Sequence, residues 1–275
     1  MTSHPASGPA LLARVLPAMP FGSRRAVHLF ERSLYLYRRT WLVLVSGFFE
    51  PLFYLFAIGF GIGALVGEVP GPDGRPIPYQ LFVAPALLAS SAMNGAIFEV
   101  TFNVYGKLRW EKVYDAVLAT PLGVGDIALG EIAWALFRGL LYAIGFVLVM
   151  LVFGLVRSPY FVFAIPAAML IGFAFAAVGM AATTFVRSWQ DFDLVQLVIL
   201  PLFLFSATFY PISTYPEGLR LIVQLTPLYH GVDLIRSLSL GIVSPALLVH
   251  VAYLLAMGFA GLFVVSQRLD KLLLK

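Results

Sequence analysis

The chain has 275 residues, of which 60% are hydrophobic and only 12% charged, and its mean hydropathy is +0.91. Soluble domains carry about 25% charged residues, so this composition excludes a soluble globular protein and specifies one that lives in a bilayer. The net charge of +4 does not signal nucleic acid, because the basic residues flank apolar runs, where they set membrane topology.

There is no cysteine, hence no disulfide and no thiolate ligand. The histidines, His4, His28, His230 and His250, are too scattered to form a metal site. Near the N-terminus, "PALLARVLPAMP" is too short and too broken by Arg and Pro to be a signal segment. Residues 1–24 read as a flexible cytoplasmic tail and 25–275 as a single transmembrane domain. Next comes "AVHLFERSLYLYRRTW", in which Val27, Phe30, Leu34, Tyr37 and Trp41 recur at spacings of three and four. They share one helical face, with Arg25, His28, Arg32 and Arg39 largely on the other and Arg38 beside them. Such a basic amphipathic helix is expected to lie in the membrane interface.

Apolar windows of about 20 residues predict six spans, near 41–66, 79–102, 132–156, 161–186, 194–212 and 246–266, in an all-α membrane protein. The first contains "GFFEPLFYLFAIGFGIG", with Glu50 beside Pro51. Glu50 stands about 14 Å along the helix from Trp41, near mid-span, where a carboxylate must face protein or a wet cavity. It reads either as a buried structural carboxyl or as a residue lining a transport path, with Arg138, the basic residue inside the third span, as candidate partner. Asn94, Glu99 and Glu131 are the other intramembrane polar candidates. Gly59, Gly63 and Gly67 form one small-residue stripe, and Gly172, Ala176, Gly179 and Ala182 another, both expected to admit a neighbouring helix.

Between spans two and three, Trp110, Val113, Tyr114, Val117 and Leu118 make an apolar stripe on a short helix, with Glu111, Lys112 and Asp115 on its other sides. Thr120-Pro121-Leu122-Gly123 ends it. That stripe is covered either by the protein's own membrane domain or by a soluble partner with a groove. After span five, Ser206 to Gly241 holds two apolar stretches split by Pro227, each too short to cross the bilayer. They fit two helices folded back into the outer leaflet, with Asp233 and Arg236 spaced to pair on one face.

Thirteen basic residues fall on one side: Arg14, Arg24, Arg25, Arg32, Arg38, Arg39, Lys107, Arg109, Lys112, Arg187, Arg268, Lys271 and Lys275. Only Arg75, Arg157, Arg220 and Arg236 fall on the other. Both termini are therefore expected in the cytoplasm.

Three strings in order, "EPLFYLFAIGFGIG", "FEVTFNVYGKLRWEKVYDAVLATPLGVGDIALGEIAW" and "LPLFLFSATFYPISTYPEGLRLIVQLTPLYHGVDLIRSLSLG", resemble the membrane subunits of type-2 ABC exporters, in the branch of the nodulation-factor (lipo-oligosaccharide) export permeases. The resemblance implies a half-transporter in the bacterial inner membrane. Two such subunits, copies or close relatives, would pair with two ABC ATPase subunits that bind ATP and magnesium. It further implies that Trp110, Lys112, Val113, Tyr114, Asp115, Val117, Leu118, Thr120 and Pro121 form a coupling helix seated on the ATPase. The segment of Val27, Phe30, Leu34, Tyr37, Arg38 and Arg39 would be the interface helix beside it. Pro211, Pro216, Pro227, Tyr229, His230, Asp233 and Arg236 would belong to a re-entrant pair closing the exit.

The chain has no G-x-x-x-x-G-K-[ST] loop, since Gly106-Lys107 is followed by Leu108, so it is expected to carry no cofactor and no catalytic residue of its own. The cargo implied is an amphiphile, a lipid-linked oligosaccharide or a hydrophobic drug. Two rival readings are an ion-gradient-driven transporter, which the lack of an evident repeat disfavours, and an intramembrane enzyme, which the lack of converging catalytic groups disfavours.

Overall fold

The computed structural model describes residues 25–39 and 41–273. The tail over 1–24, Lys275 and the side chains of Arg39 and Trp41, assigned above to the tail, the topology and the interface helix, lie outside the described residues.

Helix α1 (Ala26–Arg39) lies against the first third of α5 (Val124–Val152). Its contact face is Ala26, Leu29, Phe30, Ser33 and Tyr37. Gly130 admits it, since a Cβ there would meet the Leu29 Cβ at 2.8 Å. Phe30 and Tyr37 pack on Trp134 with ring centroids 5.8 and 4.9 Å away. Phe30 and Tyr37 of the predicted apolar face thus meet the bundle, while Val27 and Leu34 of the same face are exposed.

The first span opens as α2 (Trp41–Tyr54), widens to π-helix over Leu55–Ile62 and closes as Gly63–Val66. Pro51 offers no N–H to the Gly47 carbonyl, and the wide turns follow four residues later. Gly63 lets Tyr79 and Gln80 approach, but Gly67, at φ +73°, lies beyond the helix as its cap, so the three-glycine stripe is broken.

An antiparallel hairpin of β1 (Glu68–Pro70) and β2 (Pro76–Pro78) follows, a small departure from the all-α expectation. Its turn carries Gly74 at φ +79°, and Asp73 accepts from the Arg75 N–H at 3.1 Å. Central helix α3 (Tyr79–Phe98) continues through π-helical Glu99–Asn103 into Val104–Arg109. It is buried on nearly every side, and α4 (Val113–Leu118) hangs from its end. Helix α6 (Ala164–Thr183) enters through a 3-10 turn at Pro159–Phe163. Gly172 and Gly179 admit α5 and α3, respectively: the side chains of Leu136 and Val100 lie 3.3 and 2.8 Å from where their Cβ atoms would be.

Among the described residues five helices are long and apolar enough to cross a membrane: Gly47–Val66, Tyr79–Arg109, Val124–Val152, Pro159–Thr183 and Ala246–Leu273. Their ends differ from the sequence estimates, most of all in α5, which starts at Val124 because the Asp126 carboxylate accepts from the Gly123 N–H at 2.9 Å. The fifth predicted span corresponds to α7 (Phe192–Phe205), only 14 residues. That is about 21 Å of helix, too short for a full crossing. Beyond it Ser206, Ala207 and Thr208 are non-helical yet almost wholly buried in protein, which is where irregular backbone at membrane depth is tolerated.

Two short helices, α8 (Glu217–Leu225) and α9 (Pro227–Leu240), precede the final helix α10 (Ala246–Leu273). Helix α10 packs along α6 with backbone nearly touching backbone, because Gly261 has no Cβ: one would lie 2.7 Å from the Ala177 carbonyl carbon.

Candidate functional site

A cleft of about 490 Å³ opens where α2, α3, α5 and α7 meet. Helix α2 contributes Gly47, Glu50, Pro51 and Tyr54; α3 contributes Ser90, Ser91 and Asn94; α5 contributes Arg138 and Tyr142; α7 contributes Gln196, Ile199, Leu200 and Phe203. The π stretch Glu99–Asn103 contributes Phe102. Gly47 makes room for Tyr142, whose ring and hydroxyl would lie 2.7 Å from a Cβ at that position.

Glu50 is exposed to this cleft and has no ion pair or hydrogen bond among the described residues. Arg138, its expected partner, is instead bound to Glu99, and its second amino group donates to the Tyr142 hydroxyl at 2.8 Å. Asn103 donates to the same Glu99 oxygen at 2.8 Å. The geometry is simple. Glu99 lies on a π-helical turn with its carboxylate on Arg138 of α5, whereas Glu50, on α2, lines the cleft and Glu99 does not. Asn94 Oδ1 and Arg138 Nε are buried without a hydrogen-bond partner. Buried polar atoms are almost always paired, so these two leave uncompensated polarity behind the cleft wall.

Glu131, the remaining intramembrane candidate, is separate. It accepts from Lys107 at 2.6 Å and from the Tyr114 hydroxyl at 3.1 Å. The Tyr114 bond ties α4 to α5, and the Lys107 bond ties the end of α3 to the same carboxylate. Burial, and then the neighbouring Glu131 carboxylate, push the Tyr114 phenol well above its ordinary pKa, so it stays a donor.

Tyr114 and Val117 are buried and Val113 and Leu118 partly so. Most of the apolar stripe is thus covered by the protein's own membrane domain. Trp110 stands outside α4, 64% exposed, stacked on Trp189 with centroids 5.4 Å apart. Lys112 caps α4 in a left-handed conformation at φ 49°. The ledge left open comprises Glu111, Lys112, Asp115 and Thr120. It is braced from the residue just ahead of α1, where Arg25 donates to the Pro121 carbonyl at 2.7 Å. Phe30 and Tyr37 face the bundle as described, while Arg38 is exposed.

At the opposite end Pro211 is buried ahead of a 3-10 turn, Pro216 caps α8 and Pro227 starts α9. The expected Asp233–Arg236 pair does not form. Asp233 meets His250 of α10 at 3.1 Å, and His250 meets His230 at 2.7 Å through their Nδ1 atoms, with Tyr229 packed edge-on beside them. Arg236 is buried. It donates to the carbonyls of Phe82 and Ala207 at 3.0 and 2.8 Å and lies 3.8 Å over the Phe82 ring. Ala207 is held at φ 55°, a left-handed strain of about 1–2 kcal/mol, and its carbonyl is one of the two that Arg236 binds.

Sequence reasoning missed Tyr142, Ser90, Ser91 and Gln196 as cleft residues. The polar interruptions "SSAMN" and "DLVQLV" within apolar runs were the available signal.

The model of the ABC-2 type transporter family matches residues 25–240. Nodulation protein J of Rhizobium leguminosarum bv. trifolii is 34% identical over 226 residues, covering 82% of this chain and 84% of that protein. Nodulation protein J of Rhizobium meliloti (strain 1021) is 32% identical over 236 residues, covering 85% and 87%. The inner membrane transport permease YadH of Escherichia coli (strain K12) is 23% identical over 216 residues, covering 78% and 82%. The chain is a multi-pass integral membrane protein that belongs to the ABC-2 type transporter family, as a transmembrane subunit of an ABC transporter whose similarity lies with the nodulation permeases.

Proposed function

We propose that this subunit exports an amphiphile, with its polar head passing the cleft between α2, α3, α5 and α7 and its apolar part following the lipid-facing sides of α2 and α7. The observation that carries this reading is the cleft itself. The polar residues Glu50, Asn94 and Arg138 line a space beside helices that bear exposed Phe53, Leu197 and Leu200. Similarity to nodulation permeases favours a lipid-linked oligosaccharide as cargo over a hydrophobic drug.

Energy comes from a separate ABC ATPase that holds ATP and magnesium, two copies working with two membrane subunits. The open ledge at Glu111, Lys112, Asp115 and Thr120 is its seat. Both termini face the cytoplasm of a bacterial cell, and α7 with the irregular segment after it makes the sixth passage. Helices α8 and α9 close the exit.

The test is co-expression with candidate ABC ATPase subunits from the same genome, followed by purification and reconstitution. The expected result is a complex that moves a fluorescent lipid-linked oligosaccharide only with ATP. Asp115→Arg on the ledge reduces coupled transport about tenfold, the equivalent of roughly 1.4 kcal/mol of lost docking energy, while the membrane subunit still folds. Transport driven by a proton gradient with no ATPase bound would end the ABC reading. Glu50→Gln is expected to assemble normally, because its carboxylate holds no other described group, and to change the export rate at saturating ATP. Loss of the folded protein would make Glu50 structural instead.

A further inference from the structure

At the end of the bundle that carries α4, a second cleft of about 440 Å³ gathers four cations: Arg109 from the end of α3, Arg187 from the loop after α6, and Arg268 and Lys271 from α10. None of the four makes an ion pair among the described residues. The acids nearest in sequence, Glu111 beyond Arg109 and Asp270 between Arg268 and Lys271, are exposed and pair with none of the four among the described residues, and Asp191, four residues beyond Arg187, is committed elsewhere. Its carboxylate accepts from the backbone N–H groups of Arg187 and Ser188 at 2.8 and 3.1 Å and from the Ser188 hydroxyl at 3.0 Å. Those bonds hold Asp191 below the usual carboxylate range. Arg268 is fixed in place, 4.1 Å over the Phe185 ring with one amino group on the Thr184 carbonyl at 3.5 Å, yet its Nε is buried with no partner.

Four like charges around one space repel one another unless an anion joins them. The rim says which kind. Trp110 adjoins Arg109 and Trp189 follows Arg187 by two residues; stacked on each other, they are 64% and 51% exposed, and Phe185 is 54% exposed. Exposed tryptophans at helix ends mark the headgroup level of a bilayer, and basic pockets between membrane helices hold lipid phosphates. A soluble anion would need the cations but not the aromatic belt.

We propose that this cleft seats the phosphate of an anionic phospholipid from the leaflet it faces, the cytoplasmic one in the orientation given above. The site is distinct from the Glu50 cleft. The bound lipid would add a cross-link between the ends of α3, α6 and α10, which hydrogen bonds from Thr183 to Val100 and from Arg268 to Thr184 already join there.

The full-length chain, purified in a neutral detergent, is titrated with phosphatidylglycerol, phosphatidylcholine or inorganic phosphate and followed by native mass spectrometry and thermal melting. Phosphatidylglycerol is expected to remain bound and to raise the melting temperature, while the other two do neither. The triple variant Arg109→Gln/Arg187→Gln/Lys271→Gln, which spares the packed Arg268, loses phosphatidylglycerol binding by about tenfold or more. Arg32→Gln/Arg38→Gln, on α1, retains it.

Equal lipid retention by the triple variant overturns the proposal. Equal loss in the α1 variant reduces it to nonspecific attraction. Full competition by inorganic phosphate makes it a soluble-anion site. If the triple variant keeps the lipid but no longer co-purifies with the ATPase, the cleft is a protein contact instead.

Discussion

Gly261→Ala is expected to destabilise the folded chain more than any other single methyl group added to its helices. The new Cβ would stand 2.7 Å from the Ala177 carbonyl carbon and 2.8 Å from the Val178 nitrogen. Both are backbone atoms inside helix α6, so no rotamer change relieves the clash. At Gly231 and Gly179 the close neighbour is a side chain that can turn away, Ile171 and Val100, and at Gly130 the one contact under 3 Å is with the Leu29 Cβ of the short helix α1, which can shift as a unit.

Helices in lipid have no hydrophobic drive to associate and depend on close packing. Prising α10 from α6 therefore removes contact along both helices. Overpacking of this kind costs about 1–3 kcal/mol, and backbone contact on both sides sets the expectation at the upper end. For a chain this size that lowers the melting temperature by roughly 5 °C or more. Gly218→Ala serves as the comparison, since nothing lies within 4 Å of its added Cβ, and it should melt like the unmodified protein. A Gly261→Ala protein with an unchanged melting temperature would mean that α6 and α10 do not approach as described.

Apolar run length made the long helices legible in the sequence, and the small residues of the fourth span marked its packing face. Period and run length say nothing, however, about which wall a polar side chain occupies. Glu50 and Arg138 looked like partners because each was the conspicuous charge of its span. Glu99 claimed Arg138 because the π-helical turn at Glu99–Asn103 places the Glu99 carboxylate against α5, with Asn103 bonded to the same oxygen, and no sequence period announces that turn. Asp233 and Arg236 share a helix face on paper. Each instead found partners on other elements, His250 on α10 and the backbone of Phe82 and Ala207. The end of α7 was hidden for another reason. "LPLFLFSATFYP" stays apolar past Phe205, so hydropathy extended a span that the backbone leaves at Ser206. On α1 the periodicity was right, but Gly130 and Trp134 on α5 decide which side is buried, and that is tertiary information.

The pair of Arg138 and Glu99 carries the second large expectation. Glu99 is 2% exposed and Arg138 13% exposed, counted on their side chains. Removing one partner leaves the other charge buried and uncompensated, which costs about 3–5 kcal/mol, whereas replacing both with neutral groups is often nearly neutral. Glu99→Gln alone is thus expected to lower stability by roughly 3 kcal/mol, with Arg138→Gln close behind. The double variant should regain most of that loss, a coupling that a thermodynamic cycle measures directly.

Transport separates two meanings of the pair. Arg138 touches the cleft and Glu99 does not line it. If Arg138 also meets the cargo, the double variant recovers its stability but not its export rate. If the pair is only a strut between α3 and α5, stability and export return together. Tyr142 sharpens the distinction, because its hydroxyl is held by Arg138 and its ring fills the space opened by Gly47. In the double variant that hydroxyl loses its donor and is free to turn. Cargo selectivity should then shift in the same variant whose melting temperature is restored, and additive stability losses in the cycle would show that the two charges are not coupled.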